Sequence, residues 1–263
     1  MTNKQRKSLV VALIIFMGLI LWSAGNAQNW QSIDEGIYGT ETEEGIWIFK
    51  INQNNNKFFV RGSNLNLKGL PQWAEYASGG TNLNMFKGGN LPNGYTKLNG
   101  KIIQPEIINY NAFIVWNNDT LRIMDRTKES MEEILSYPNV SQNIRMASES
   151  GKRNRWQIDA KKWSVSVLAT TTDGDVLMIH SRKPYTMHQF IDILLAKEEL
   201  NIYRMVYLEG GPESGIVMYG NFSRPLRKGQ KLERMGSYET GFNENNDNTV
   251  FWGIPWALCF KLK

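Results

Sequence analysis

The chain opens on an unbroken apolar run from Leu9 to Trp22, and from residue 45 its apolar positions fall into short stretches separated by turn residues. Residues 28–42 read as a lead-in loop. Residues 45–51 and 57–61 are apolar-rich and flank Gln53, Asn54, Asn55 and Asn56, a pattern that predicts a β-hairpin. Residues 70–76 predict a short helix closed by Gly79 and Gly80, and residues 129–135 a second one. The clearest unit lies further on. Residues 163–170 alternate as a strand, Thr171 to Gly174 turns the chain, and residues 175–180 return. Thr186 then begins a helix with Gln189 three positions on, the arrangement of a capping box. Met187, Phe190, Ile191, Leu194 and Leu195 share one helical face. Residues 203–208 form the next strand, ending at Glu209, Gly210 and Gly211.

Strand, helix and strand at this length predict a right-handed crossover spanning 175–208. The expected fold class is therefore α+β or mixed α/β: one domain with mixed β-sheet flanked by helices. The turn at Glu209 would lie at the carboxyl end of a strand, where open α/β sheets place ligands. No repeat, low-complexity linker or internal charge block marks a domain boundary after residue 27.

Residues 1–27 themselves read as a secretory signal. Lys4, Arg6 and Lys7 precede the apolar run, and Gly25 and Ala27 supply small residues at a cleavage site. A run of about 14 residues is short of the roughly 20 that span a bilayer. Export to a periplasmic or extracellular space follows, with residues 28–263 as the mature domain. The alternative is a retained leader, a single-pass anchor that is the chain's one link to a membrane.

The leader changes the meaning of the charge. Three of the 30 basic residues lie within it, leaving 27 against 25 acidic ones, a net charge of about +2 in place of +5. A nucleic-acid partner is not implied. Cys259 stands alone and cannot form an internal disulfide, so the core must hold the fold. Two histidines and one cysteine are a poor supply for zinc, so no metal and no cofactor is expected. Calcium, which needs only oxygens, is left without a supporting motif.

Four polar or glycine-rich stretches carry candidate chemistry. Asn82 and Asn84, in Thr81-Asn82-Leu83-Asn84-Met85-Phe86, offer amides suited to sugar hydroxyls, or simply accommodate a left-handed turn. Lys152, Arg153, Arg155, Lys161 and Lys162 offer cations to a phosphodiester, or form a solvated basic loop. Glu209-Gly210-Gly211-Pro212-Glu213-Ser214 joins two carboxylates to glycines whose backbone can approach a ligand closely. The stretch from Gly236 to Phe242 holds Tyr238 and Glu239, with Trp252 and Trp256 beyond it. Aromatics beside amides and an acid suit a sugar, while Trp252 and Trp256 also suit a plain core strand.

Taken in order, these stretches resemble the phosphodiester glycosidase family. Asn82-Leu83-Asn84-Met85-Phe86 is similar to that family's N-A-G-M-F stretch, and Leu208-Glu209-Gly210-Gly211 to its L-D-G-G-x-S signature, with Ser214 one position late. The tail Gly236-Ser237-Tyr238-Glu239-Thr240-Gly241-Phe242 looks like the closing segment of a bacterial branch. The chain departs from the pattern at Glu209 (family aspartate), Pro212 (glycine) and Asn84 (glycine).

The resemblance implies an exported hydrolase that cleaves the glycosidic bond of a sugar-1-phosphodiester. Glu209 would be the principal carboxylate and Glu239 the second. Asn82 and Asn84 would hold the sugar, Gly210, Gly211 and Ser214 would shape the pocket, and Arg155 or Lys162 would meet the phosphate. The alternative on the same scaffold is an exported protein that binds glycans, or serves the cell envelope, without turnover.

Overall fold

A computed structural model describes residues 30–65, 77–87, 91–154, 156, 161–219, 232–236 and 254–263. The leader and the helix expected at 70–76 fall outside these residues. The larger sheet takes, in spatial order, β1 (Gln31–Asp34), β2 (Ile37–Glu41), β3 (Ile46–Ile51), β15 (Val176–Tyr185), β14 (Trp163–Thr171), β16 (Ile202–Gly210), β12 (Asn139–Ser148), β10 (Ala112–Trp116) and β11 (Leu121–Asp125). Three shorter strands join it at β12: β8 (Thr96–Leu98), β9 (Lys101–Gln104) through β8, and β13 (Lys152–Arg153). The second sheet runs β18 (Leu232–Gly236), β17 (Gly215–Tyr219), β5 (Gly79–Asn82), β19 (Ile254–Leu262) and β4 (Asn56–Leu65). A small ribbon pairs β6 (Phe86–Lys87) with β7 (Leu91–Pro92).

Every described strand pairing is antiparallel. This corrects the expected mixed α/β class: the protein is mainly antiparallel β, with two α-helices among the described residues, α1 (Met131–Ser136) and α2 (Met187–Leu195). The strand–helix–strand unit exists, but β15 and β16 lie on opposite sides of β14 and never touch as partners. The β14–β15 hairpin, closed by Gly174 at φ +88°, had already filled the place a neighbouring parallel strand would need.

The hairpin expected around Gln53 is also overturned. The turn forms, but β3 is paired on both sides by β2 and β15, while β4 pairs with β19 in the other sheet. The turn is a corner between sheets. Gln53 secures it by donating to Gly174 O at 2.5 Å and accepting from Leu121 N at 2.5 Å. The stretch read as a lead-in loop supplies edge strands β1 and β2 instead; Ile33 and Ile37 are buried along them.

The two sheets meet over one apolar core. Phe49, Leu168, Met178, Val206 and Leu208 from the larger sheet pack with Phe58, Ile216, Met218, Leu258 and Phe260 from the smaller. The opposite face of the larger sheet is covered by α2. Its Met187, Phe190, Ile191 and Leu194 are buried, each worth about 1.5–3 kcal/mol by removal from water. Thr186 and Gln189 form the expected capping box. Trp256, partly buried, packs against Gly62, where a Cβ would come within 1.9 Å of its ring.

Candidate active site

Strand β16 delivers the carboxylate. Opposite Val167 stands Tyr207 and opposite Ser166 stands Glu209, so Leu208 is an extra residue and the strand bulges just before Glu209. Bulges re-aim side chains and recur beside active sites. The Glu209 carboxylate accepts from the Gly210 amide at 2.9 Å, and the Phe86 amide also bonds it. Burial nevertheless dominates, and with the charge of Glu213 close by it pushes the Glu209 carboxyl up to about 8. Glu213 is itself raised by burial.

Aromatic rings wall the site. Burial, helped by the Glu209 charge, drives the Tyr207 phenol well above its usual range, so it remains a neutral donor. Its ring stands 5.6 Å from that of Trp156, tilted by 49°. A Cβ on Gly210 would come within 2.2 Å of the Tyr207 hydroxyl and 2.3 Å of Trp163 Cδ1. Position 210 therefore accepts glycine alone without rearrangement. Gly211, at φ +70°, begins the turn that returns the chain to the second sheet.

That turn is tied down from three strands. Asn82 of β5 donates to Glu213 O at 2.7 Å and accepts from Gly215 N at 3.0 Å. Ser164 of β14 donates to Gly211 O at 3.1 Å. Ser214 meets Ser166 and His180 at 3.1 and 3.2 Å in a fully buried cluster. Both groups of the Asn82 amide are thus spent on main chain.

Asn84 is held differently. Its Nδ2 donates to Thr96 Oγ1 at 3.2 Å and to Ser141 Oγ at 3.0 Å, and Ser141 in turn donates to Asn143. The amide is fixed in orientation with Oδ1 buried and unpaired. Asn143 donates to both Leu83 O and Tyr207 O at 3.2 Å, tying the Asn84 segment to β16.

Of the residues singled out in the sequence, the structure gathers Glu209, Gly210, Gly211, Asn82 and Ser214 around one turn, while Asn84 is bonded away from it, to Thr96 and Ser141. Lys162 is exposed and lines a shallow groove with Tyr185, Gln189 and Asp192, one residue from Trp163. Arg155 and Glu239 lie outside the described residues. None of Tyr207, Trp163, Ser166 and His180 is among the candidate site residues that the sequence offers. Ser164, Ser166 and His180 had left a trace there, as polar residues in apolar strands. Among the described residues no group of three or more His, Cys, Asp or Glu side chains could hold a metal. No helix among them is long and apolar enough to cross a membrane.

A two-sheet antiparallel scaffold that presents a proton-holding carboxyl at a bulged strand end, walled by aromatic rings, has the chemistry of a hydrolase site. The phosphodiester glycosidase family model matches residues 74–243, well over half of the chain, and the chain belongs to that family. Among solved structures it is similar to the catalytic domain of zebrafish N-acetylglucosamine-1-phosphodiester alpha-N-acetylglucosaminidase, auto-inhibited by its pro-peptide. The two share 13% identity over 89% of this chain and 84% of that one, with a TM-score of 0.58. A hypothetical protein from Synechocystis is similar at 11% identity and a TM-score of 0.60, over 90% of this chain and 64% of that one. At such identities the likeness is one of fold. A comparison with curated protein sequences gives no match.

Proposed function

We propose that the protein is an exported phosphodiester glycosidase, releasing a sugar from the phosphate that caps its anomeric carbon, with Glu209 as the proton donor. The observation that carries this is the placement of Glu209 at the bulge of β16, bonded by the Gly210 amide and close to Glu213, where burial raises its carboxyl to about 8. A general acid works best when its pKa lies close to the operating pH. As the C1–O bond breaks, Glu209 passes its proton to the departing phosphate oxygen. Glu213 accepts the proton of the water that adds to C1, leaving free sugar and a phosphomonoester. Two carboxyls flanking C1 are the common solution for this bond.

The remaining residues have matching tasks. Asn84, buried and bonded to Thr96 and Ser141, braces the floor of the pocket from behind and does not itself meet the sugar. Trp156 and Trp163, partly buried against Tyr207, provide ring surface for the sugar. Lys162, exposed beside Trp163, supplies a cation for the phosphate. Export through residues 1–27 would bring the domain to envelope and foreign glycans.

Glycan binding without turnover is the second reading. It rests on Glu209 standing where the family signature has aspartate, a carboxyl displaced by about 1 Å, a shift catalytic geometry often does not tolerate. One experiment separates the two. The full chain is incubated with UDP-GlcNAc and simpler N-acetylglucosamine-1-phosphodiesters, and free sugar is measured beside the E209Q variant. Release by the wild type and its loss in E209Q supports catalysis. Bound ligand with no release supports the second reading, and full activity in E209Q overturns the role of Glu209.

A further inference from the structure

The turn from Gly211 to Gly215 is anchored by a buried cluster that substrate cannot reach. Ser166, His180 and Ser214 are at most 1% exposed. Ser166 Oγ lies 3.1 Å from His180 Nδ1 and 3.1 Å from Ser214 Oγ, and Ser214 Oγ lies 3.2 Å from His180 Nδ1. Ser166 also donates to Gly215 O at 3.2 Å. Gly215 O accepts from Thr81 Oγ1 as well, at 2.8 Å, and one assignment of protons satisfies the whole cluster. With the Ser166 hydroxyl proton committed to Gly215 O, Ser166 is an acceptor toward its other two partners. The Ser214 hydroxyl proton satisfies one of them. A proton on His180 Nδ1, shared between the two hydroxyl oxygens, closes the remaining contacts.

We infer that His180, protonated on Nδ1, is a positioning residue: through Ser214 and Ser166 it locks the turn that sets Glu213 against Glu209. The chain of donors runs from His180 to Ser214 and Ser166 and ends on the Gly215 carbonyl, one residue from Ser214 and two from Glu213. It crosses from the larger sheet to the start of β17 in the smaller. A serine or histidine needed only to fill volume would not require four mutually compatible polar contacts within an apolar core. The catalytic consequence rests on the function proposed above, but the geometric one does not.

Three variants test it: His180→Leu, which removes the donor, His180→Asn, whose amide keeps a donor near Nδ1, and Ser214→Ala. The 15N spectrum of the wild type reports the His180 tautomer. Selective 13C labelling of glutamate side chains follows the titration of Glu209 without any substrate. Expected are an Nδ1-protonated imidazole and a downward move of the Glu209 midpoint in H180L and S214A, as Glu213 is released from its neighbour. H180N stays close to the wild type. In turnover, kcat falls by about tenfold or more in H180L with little change in KM. The double variant H180L/S214A costs no more than either change alone, because both break one chain.

An Nε2-protonated His180 overturns the inference. So does a folded H180L or S214A protein with an unmoved Glu209 midpoint, or H180N behaving as H180L does. If H180L fails to fold, S214A alone decides by the Glu209 midpoint. If the wild type releases no sugar from any phosphodiester, the proposed function fails, while the tautomer and midpoint still judge the positioning role.

Discussion

Asn82 and Gly215 lie 133 positions apart, yet the Asn82 carboxamide oxygen accepts from the Gly215 amide at 3.0 Å while its nitrogen donates to Glu213 O at 2.7 Å. One side chain on β5 thereby spans the turn that enters β17, its own neighbour in the second sheet. Replacing it leaves two buried backbone groups without partners, at about 1–3 kcal/mol each. Asn82→Ala is expected to lower unfolding free energy by about 2–4 kcal/mol and to depress turnover. Asn82→Asp keeps the acceptor but sets an oxygen against Glu213 O, so it should recover only part of the loss. Denaturant melts of the three proteins measure both effects; an N82A protein as stable as the wild type would show that the turn holds itself.

Gly210 makes a steric prediction. Its missing Cβ is the space taken by the Tyr207 hydroxyl and the Trp163 ring edge. Gly210→Ala forces both rings outward, an overpacking cost of about 1–3 kcal/mol. Because those rings wall the site, sugar binding should weaken along with stability. Calorimetric melting and sugar titration of G210A read the two together.

The raised Glu209 carboxyl predicts a pH dependence of determined sign. In the unfolded chain a glutamate titrates near ~4.3, in the fold at about 8. Between these values the folded protein holds the extra proton. The stability from that proton is fully present below pH ~4.3 and is lost as pH rises to about 8. Urea melts at pH 5, 7 and 9 should show a fall in stability over this window that E209Q lacks. On the proposed mechanism the same proton is donated to the leaving group, so turnover should decline above pH about 8.

Gln53 tests the corner between sheets. It joins the β3–β4 turn to Gly174 and to Leu121 through its two amide groups. Gln53 is only half-buried, so Gln53→Ala should cost no more than about 1–2 kcal/mol, since water replaces part of what is lost. Hydrogen exchange should rise at the Leu121 amide, where one of the two bonds ends.

How much of this was legible beforehand depended on the range of the interaction. Helix α2 was visible because its determinants are local: Thr186 caps Gln189, and the apolar face repeats every three or four residues. The β14–β15 hairpin was visible for the same reason, with Asp173 and Gly174 at its tip. The β3–β4 corner was not. Its alternation and turn residues are those of a hairpin, and the partner that takes β4 away, β19, lies some two hundred residues downstream. Antiparallel order failed likewise, because a strand–helix–strand pattern says nothing of which strand lies between. In the site, glycines and acids were readable as a motif. His180 and Ser166 were not, since two apolar strands had to be laid side by side before their polar atoms met.

The turn from Gly211 to Ser214 leaves one sheet at Gly210 and enters the other at Gly215. Glu209 therefore belongs to one half of the sandwich, and Glu213 is moored to the other by Asn82. The proposed reacting pair is a gauge of how the halves are seated. Loosening of the smaller sheet would part the carboxyls while the larger sheet stayed intact, so inactivation on heating would precede the loss of most secondary structure. Catalysis would then be the first property to report a partial opening that bulk spectroscopy overlooks.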